Sequence, residues 1–291
     1  MFNFPYQVVG RHLAAGLVLD MPDQIVILPE AHLKEWELTV EQAYERAVQN
    51  LAKISSDPMR KVAPGLYVSP WQDNHDAGRI LLLEKIKAEC EVEGELLAFI
   101  PNRDHLIVTG AAEGEGLTKA LRLVEKILAA PRSMCFVPLV LRNNQWELYQ
   151  LPAFHPEFNR FEQLTADTLL TIYGENKELL DQLKKANEQD LYVARFNALQ
   201  NTETGKISTY CVWSDGVEAL LPLTDFIGFA RYSLESDDDD VTSLGLAPFN
   251  QVVTLLGTDT ITCDGRYPER YRVRRFPTEE ELALLPLQEE L

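Results

Sequence analysis

Apolar residues recur along the chain at helical spacing, at strand spacing and in short unbroken runs, and these patterns predict the elements. Gln24 to Leu28 reads as a strand. Thr39 followed by Gln42 is a capping box, because each side chain can satisfy a main-chain N–H left free at a helix start. Val40, Ala43, Tyr44, Ala47, Val48 and Leu51 then repeat at helical spacing and give that helix one apolar stripe. Ser55-Ser56-Asp57-Pro58 ends it, and Gly65 to Ser69 predicts a strand leading into a polar cluster, Asp73-Asn74-His75-Asp76. Asp76 stands where an N-cap belongs. Ala77 to Glu89 predicts a helix whose first turns, carrying Ile80-Leu81-Leu82-Leu83, are apolar enough to be buried on more than one side.

Leu96 to Ile100 and Leu106 to Thr109 flank Pro101-Asn102-Arg103-Asp104 as two strands flank a tight turn, since Pro, Asn and Asp suit turn dihedrals. A glycine-containing connection, Gly110 to Gly116, leads to a helix with Leu117, Leu121, Val124 and Leu128 on one face, stopped by Pro131. Cys135 to Leu141 and Trp146 to Gln150 predict a further hairpin around Arg142-Asn143-Asn144-Gln145.

From Pro156 to Gln189 the pattern is helical and rich in charge. Beyond it Leu191 to Leu199, Lys206 to Trp213, Val217 to Leu221 and Phe226 to Arg231 are rich in strand formers, and they predict an antiparallel sheet. Ile207, Thr209, Cys211 and Trp213 share one face of the second strand. Asp237 to Asp240 predict an exposed loop, because four adjacent carboxylates resist joint desolvation. A strand-like stretch holding Arg266, Arg270, Arg272, Arg274 and Arg275 precedes a short acidic helix from Pro277. The fold class is therefore α+β in two lobes: a mixed helix and strand lobe over residues 1–155, a helical bridge over 156–190 and a β-rich lobe over 191–291.

Charge narrows the partners. Forty-five Asp and Glu against 27 Lys and Arg give a formal charge of −18, which repels a nucleic-acid backbone or an anionic membrane. Neither is expected as a partner. Cys90, Cys135, Cys211 and Cys263 are widely spaced with no C-x-x-C pair, and they read as buried thiols of a reducing compartment. The apolar stretch Leu13 to Leu19 is too short for a membrane span and lacks a cleavage site. A cytoplasmic location is the expectation.

His75-Asp76 is a dyad that some metal-dependent phosphohydrolases use, and Asp73 adds a third metal-capable side chain. His12, His32, His105 and His155 lack the spacing to complete such a site, so no metal is expected, and Asp76 reads as a helix cap. No G-x-G-x-x-G, G-x-x-x-x-G-K or G-x-S-x-G motif occurs, and no cofactor is expected. Arg79 carries more information: it sits beside a run that should be buried, and a buried guanidinium needs a partner. Asp73 or Asp104 can supply a bidentate one, with Asp76 one helical turn away. Asn102 and Arg103 then either complete that network or leave donors for an anionic ligand. The arginines from Arg266 to Arg275 are expected to pair with the protein's own carboxylates.

Asp73 to Leu83 together with Pro101-Asn102-Arg103-Asp104, after the helix around Glu41 to Asn50, resembles the YtpQ-like family of uncharacterised bacterial proteins, which pairs a D-A-S-R-L-L-L-type motif with a P-N-R-D motif. The similarity spans about residues 33 to 130, and Gly78 stands where that family usually has Ser. The resemblance implies a bacterial origin and, the family having no established activity, carries over no catalytic role. The expected function is that of a non-enzymatic binding or interaction protein, its partner another protein or a small anionic ligand. The alternative is a small-molecule or phosphate-ester enzyme using Asp73, Asp76, Arg79, Asn102, Arg103 and Asp104.

Overall fold

The computed structural model describes residues 4–187, 191–232 and 241–289. The chain divides into two units, Met1–Phe158 and Asn159–Leu291. The Asp237 to Asp240 run lies outside the described residues.

The first unit opens with two ribbons, β1 (Tyr6–Val9) with β2 (Leu13–Gly16) and β3 (Val18–Met21) with β4 (Gln24–Ile27), followed by α1 (Glu30–Glu35). The Thr39 to Gln42 capping box forms as the sequence predicts and starts α2 (Val40–Lys53). After β5 (Arg60–Ala63) and β6 (Leu66–Val68) the chain enters the polar loop, then a 3-10 helix over Ala77–Leu81 and α3 (Leu83–Glu89). The hairpin β7 (Leu96–Asn102) and β8 (His105–Gly110), the helix α4 (Gly114–Leu128) and the hairpin β9 (Pro138–Arg142) and β10 (Gln145–Leu148) complete it.

Six of these strands form one antiparallel sheet in the order β10-β9-β7-β8-β6-β5. Its central strands are buried on both faces, which is why Leu96 to Ile100 and Leu106 to Thr109 read as continuous apolar runs. α4 packs on one face through Leu117, Leu121 and Val124, all fully buried. Ala98, Ile100, Leu106, Val108 and Leu139 pack instead with Ile80 of the 3-10 helix and Ile86 of α3. The polar loop is thus anchored on the sheet by the apolar residues that follow it.

One continuous helix over Ala77 to Glu89 is not what forms. Leu82, at φ −87° and ψ 63°, interrupts it. The carbonyl of Ile80, beside the break, accepts from the Trp146 indole N–H at 3.0 Å.

The second unit holds α5 (Phe158–Ala186), β11 (Tyr192–Val193), β12 (Asn197–Gln200), β13 (Ile207–Ser214), β14 (Ala219–Pro222), β15 (Phe226–Tyr232), β16 (Val241–Pro248), α6 (Phe249–Thr260), β17 (Ile261–Cys263), β18 (Arg270–Val273) and α7 (Glu279–Ala283). Its strands form two four-stranded sheets, β11-β14-β18-β17 and β12-β13-β15-β16, rather than one antiparallel sheet. Each contains one parallel pair, β11 with β14 and β13 with β15. The cause is topological: after β13 the chain crosses to β14 in the other sheet and returns to β15 in the same direction as β13. Cys211, Trp213, Leu221, Phe229, Val252 and Val273 lie in one core between these elements.

Two side-chain expectations need correction here. Cys90 and Cys211 are buried, but Cys135 is half-buried and Cys263 is exposed. Arg272 and Arg275 do pair with Glu218 and Glu281, at 2.6 and 2.7 Å. Arg270 does not: its guanidinium is buried and bonds Asn176 Oδ1 at 2.6 Å, Ala194 O at 3.1 Å and Tyr173 O at 3.2 Å.

Candidate functional site: the polar loop and the hairpin tip

The polar loop is shaped by two residues with positive φ, Gln72 at 54° and Asn74 at 65°, which fold it back over the start of the 3-10 helix. That turn aims Asp73 at Arg79. The Arg79 guanidinium, 1% exposed, donates from Nη1 to Asp73 Oδ1 at 2.7 Å and from Nη2 to Asp73 Oδ2 at 2.6 Å. Its Nε donates to Ser55 Oγ at 2.7 Å, and its face lies 4.1 Å from the centre of the Trp71 ring. Asp73 Oδ1 also accepts from His75 N–H at 3.0 Å. The Arg79 hydrogen bonds hold the Asp73 carboxyl at about 2, below its ordinary range, although partial burial opposes the shift.

Asp76 does not cap the helix through its side chain. Its backbone is helical, at φ −52° and ψ −47°, whereas a capping side chain needs an extended one. Oδ2 instead accepts from Asp73 N–H at 3.2 Å, and the fully buried Oδ1 has no hydrogen-bond partner among the described residues. The N–H of Ala77 is satisfied by the carbonyl of Arg103 at 3.1 Å. The hairpin tip therefore closes the start of the helix through its main chain.

At the tip itself Asn102 pairs with His105, leaving Arg103 and Asp104 as the turn. Asn102 is buried, and its Oδ1 accepts from Asp104 N–H at 3.0 Å and lies 2.8 Å from His105 Nδ1. Arg103 is exposed, and its side chain makes no hydrogen bond or ion pair among the described residues. His75 points away from both elements to Asp20 of β3, with Nε2 3.1 Å from Oδ2.

Of the six residues singled out in the sequence, the structure joins Asp73 to Arg79 and ties Asp76 to the Asp73 main chain. Asn102 and Asp104 meet at the tip, Asn102 Oδ1 accepting from the Asp104 N–H. Arg103 meets the loop only through its carbonyl. The sequence reading missed Ser55, Trp71, Asp20 and His105. Trp71 carried a signal, an aromatic two residues before an Asp that an Arg must reach; Asp20 and Ser55 carried none. A surface cleft of about 540 Å³ lies beside α3 and the β9–β10 turn, lined by Lys87, Cys90, Glu91, Leu141 and Asn143 among others, and none of the six residues lines it. Among the described residues no three of His, Cys, Asp and Glu gather as a metal site requires, and no helix is long and apolar enough to cross a membrane.

No family model and no solved structure matches the chain. A UPF0354 protein of Staphylococcus saprophyticus is 34% identical over 109 residues, covering 35% of this chain and 37% of that protein. A UPF0354 protein of Staphylococcus aureus strain JH9 is 29% identical over 110 residues, covering 36% and 38%. The chain thus spans less than half the length of the curated relatives it matches. Over about a third of its length it is distantly similar to bacterial proteins of the uncharacterised UPF0354 family.

Proposed function

We propose that this is a cytoplasmic, non-enzymatic binding protein that uses the tip of the β7–β8 hairpin to recognise an anionic group on another protein or a small anionic ligand. The narrower likeness to the YtpQ-like family, with its paired motifs, belongs to the same reading. One observation carries it: Arg103 is held in place by its own carbonyl on Ala77 N–H at 3.1 Å, yet it is exposed and its side chain is unpaired among the described residues. A fixed backbone spares the cost of ordering the loop, so that only the Arg103 side chain gives up freedom on meeting an anion. Arg79, by contrast, has its donors engaged by Asp73 and Ser55.

An enzyme acting on a small molecule or phosphate ester through the same six residues is favoured by a different observation, the buried Asp76 Oδ1 without a partner among the described residues. The engagement of Asp73 weighs against it, because both of its carboxylate oxygens are held by Arg79 and neither is free for a substrate. Quantitative co-purification of wild type and Arg103→Ala, with mass spectrometry of retained proteins and small anions, separates the readings. Selective loss of a retained species in the variant is expected; an identical retained set would overturn the binding role.

A further inference from the structure

The arginine at the hairpin tip has a second arginine near it in the fold. Phe99 of β7 lies opposite Pro138 of β9, and beyond that pair Met134 N–H donates to Pro101 O at 2.7 Å. The segment between α4 and β9 therefore runs beside β7 as far as the tip. Arg132 and Arg103 each lie two residues from that bond, a span of at most about 7 Å of chain. Both are exposed, and neither side chain has a hydrogen bond or ion pair among the described residues.

Two further observations mark the segment. Arg132 holds φ 65°, a left-handed backbone that suits glycine and that arginine rarely adopts. Met134, two residues on, is 45% exposed. Arginine and methionine are both enriched in protein interfaces, and the unbranched methionine side chain adapts to the shape it meets. Asp104, the other residue of the turn, pairs with neither arginine among the described residues.

We propose that Arg103, Arg132 and Met134 form a docking surface for a segment of another protein that carries two neighbouring carboxylates and an apolar side chain. The inference rests on the binding role of Arg103 and narrows its partner. Each unpaired guanidinium fits one carboxylate through two parallel bonds, so the two together select two acids. Met134 selects a peptide over a small anion, because a small anion held by both arginines leaves it uncovered. The net charge of −18 repels an acidic partner from afar, but physiological salt screens charges more than about 8 Å apart and leaves the contacting groups to decide.

Selection on the whole chain from a phage-displayed library of random dodecapeptides tests it. The enriched sequences should carry paired Asp or Glu beside Leu, Ile, Val or Phe. Fluorescence polarisation with the most enriched peptide should then give a dissociation constant raised at least about tenfold by Arg103→Ala and by Arg132→Gly. Glycine takes the φ of residue 132 without strain, so that variant keeps its fold, which circular dichroism checks. Lys206→Ala, at an exposed lysine outside this segment, should leave binding unchanged. No enrichment, enrichment without paired acids, or a loss with Arg103→Ala that Arg132→Gly does not share would overturn this inference and leave the role of Arg103 standing. An enriched peptide indifferent to Arg103→Ala would overturn both.

Discussion

Arg79 holds Asp73 through two parallel N–H···O bonds of 2.7 and 2.6 Å, while Trp71 covers the guanidinium face at 4.1 Å. The pair locks the loop onto the helix that follows it, and that helix start is in turn closed by the Arg103 carbonyl. The cluster is thus a clamp whose effect is to fix the hairpin tip.

Removing the buried partner should be costly. Arg79→Ala leaves Asp73 and Ser55 without their donor, and we expect a loss of about 3 kcal/mol, at the low end for broken buried pairs because Asp73 can rehydrate. Arg79→Lys should recover only part, since an ammonium lacks the planar fork. Urea denaturation measures both; a loss below about 1 kcal/mol for Arg79→Ala would contradict the clamp.

The same pair gives a pH dependence. Asp73 falls from 3.8 in the unfolded chain to about 2 in the folded protein, so its contribution is complete above pH 4 and is lost as pH drops from 4 towards 2. Its side chain is about a third exposed, so solvent screening limits the effect to about 1 kcal/mol. The stability gap between wild type and Asp73→Asn should narrow across that window. A gap independent of pH would mean that the Asp73 charge contributes nothing.

Arg270 is a buried cation with no ion-paired carboxylate among the described residues, held by Asn176 and main-chain carbonyls and stacked 5.2 Å from the Tyr173 ring centre. Burial pushes its pKa below the ordinary arginine value. Arg270→Lys cannot reach the same acceptors from one nitrogen, and it should cost on the order of 3 kcal/mol. Thermal unfolding followed by circular dichroism checks this, and an unchanged midpoint would show that the carbonyls find other donors.

Local rules carried much of this fold. The capping box at Thr39 and the apolar runs of β7 and β8 are set by neighbours in sequence and formed where their patterns lay, whereas the turn expected over Pro101 to Asp104 narrows to Arg103 and Asp104, with Pro101 and Asn102 in β7. What was not legible depended on distant partners. The break at Leu82 lies beside a carbonyl bonded by the distant Trp146, the parallel pairing of β13 with β15 follows from β14 belonging to the other sheet, and the Arg270 cage draws on Asn176 and Ala194. In the site, Arg79 was legible because a charge inside an apolar run must be paired. Asp76 misled because a capping residue type sat in a helical backbone.

At the tip, stability and recognition should separate. Asn102 is buried and its Oδ1 orders the turn, so Asn102→Ala should cost about 1 to 2 kcal/mol. Arg103→Ala removes an exposed side chain that is unpaired among the described residues, and it should change stability by less than about 0.5 kcal/mol. Equal losses in the two denaturation curves would mean that Arg103 has a structural partner in solution.

The most direct measurement is photo-crosslinking in cells from a benzophenone side chain placed at Asp104, beside Arg103 on the tip. The binding account predicts a defined crosslinked species from this position, lost when Arg103→Ala is added and missing when the probe sits instead at the exposed Glu84. No crosslink from Asp104, or the same species in the presence of Arg103→Ala, would contradict it.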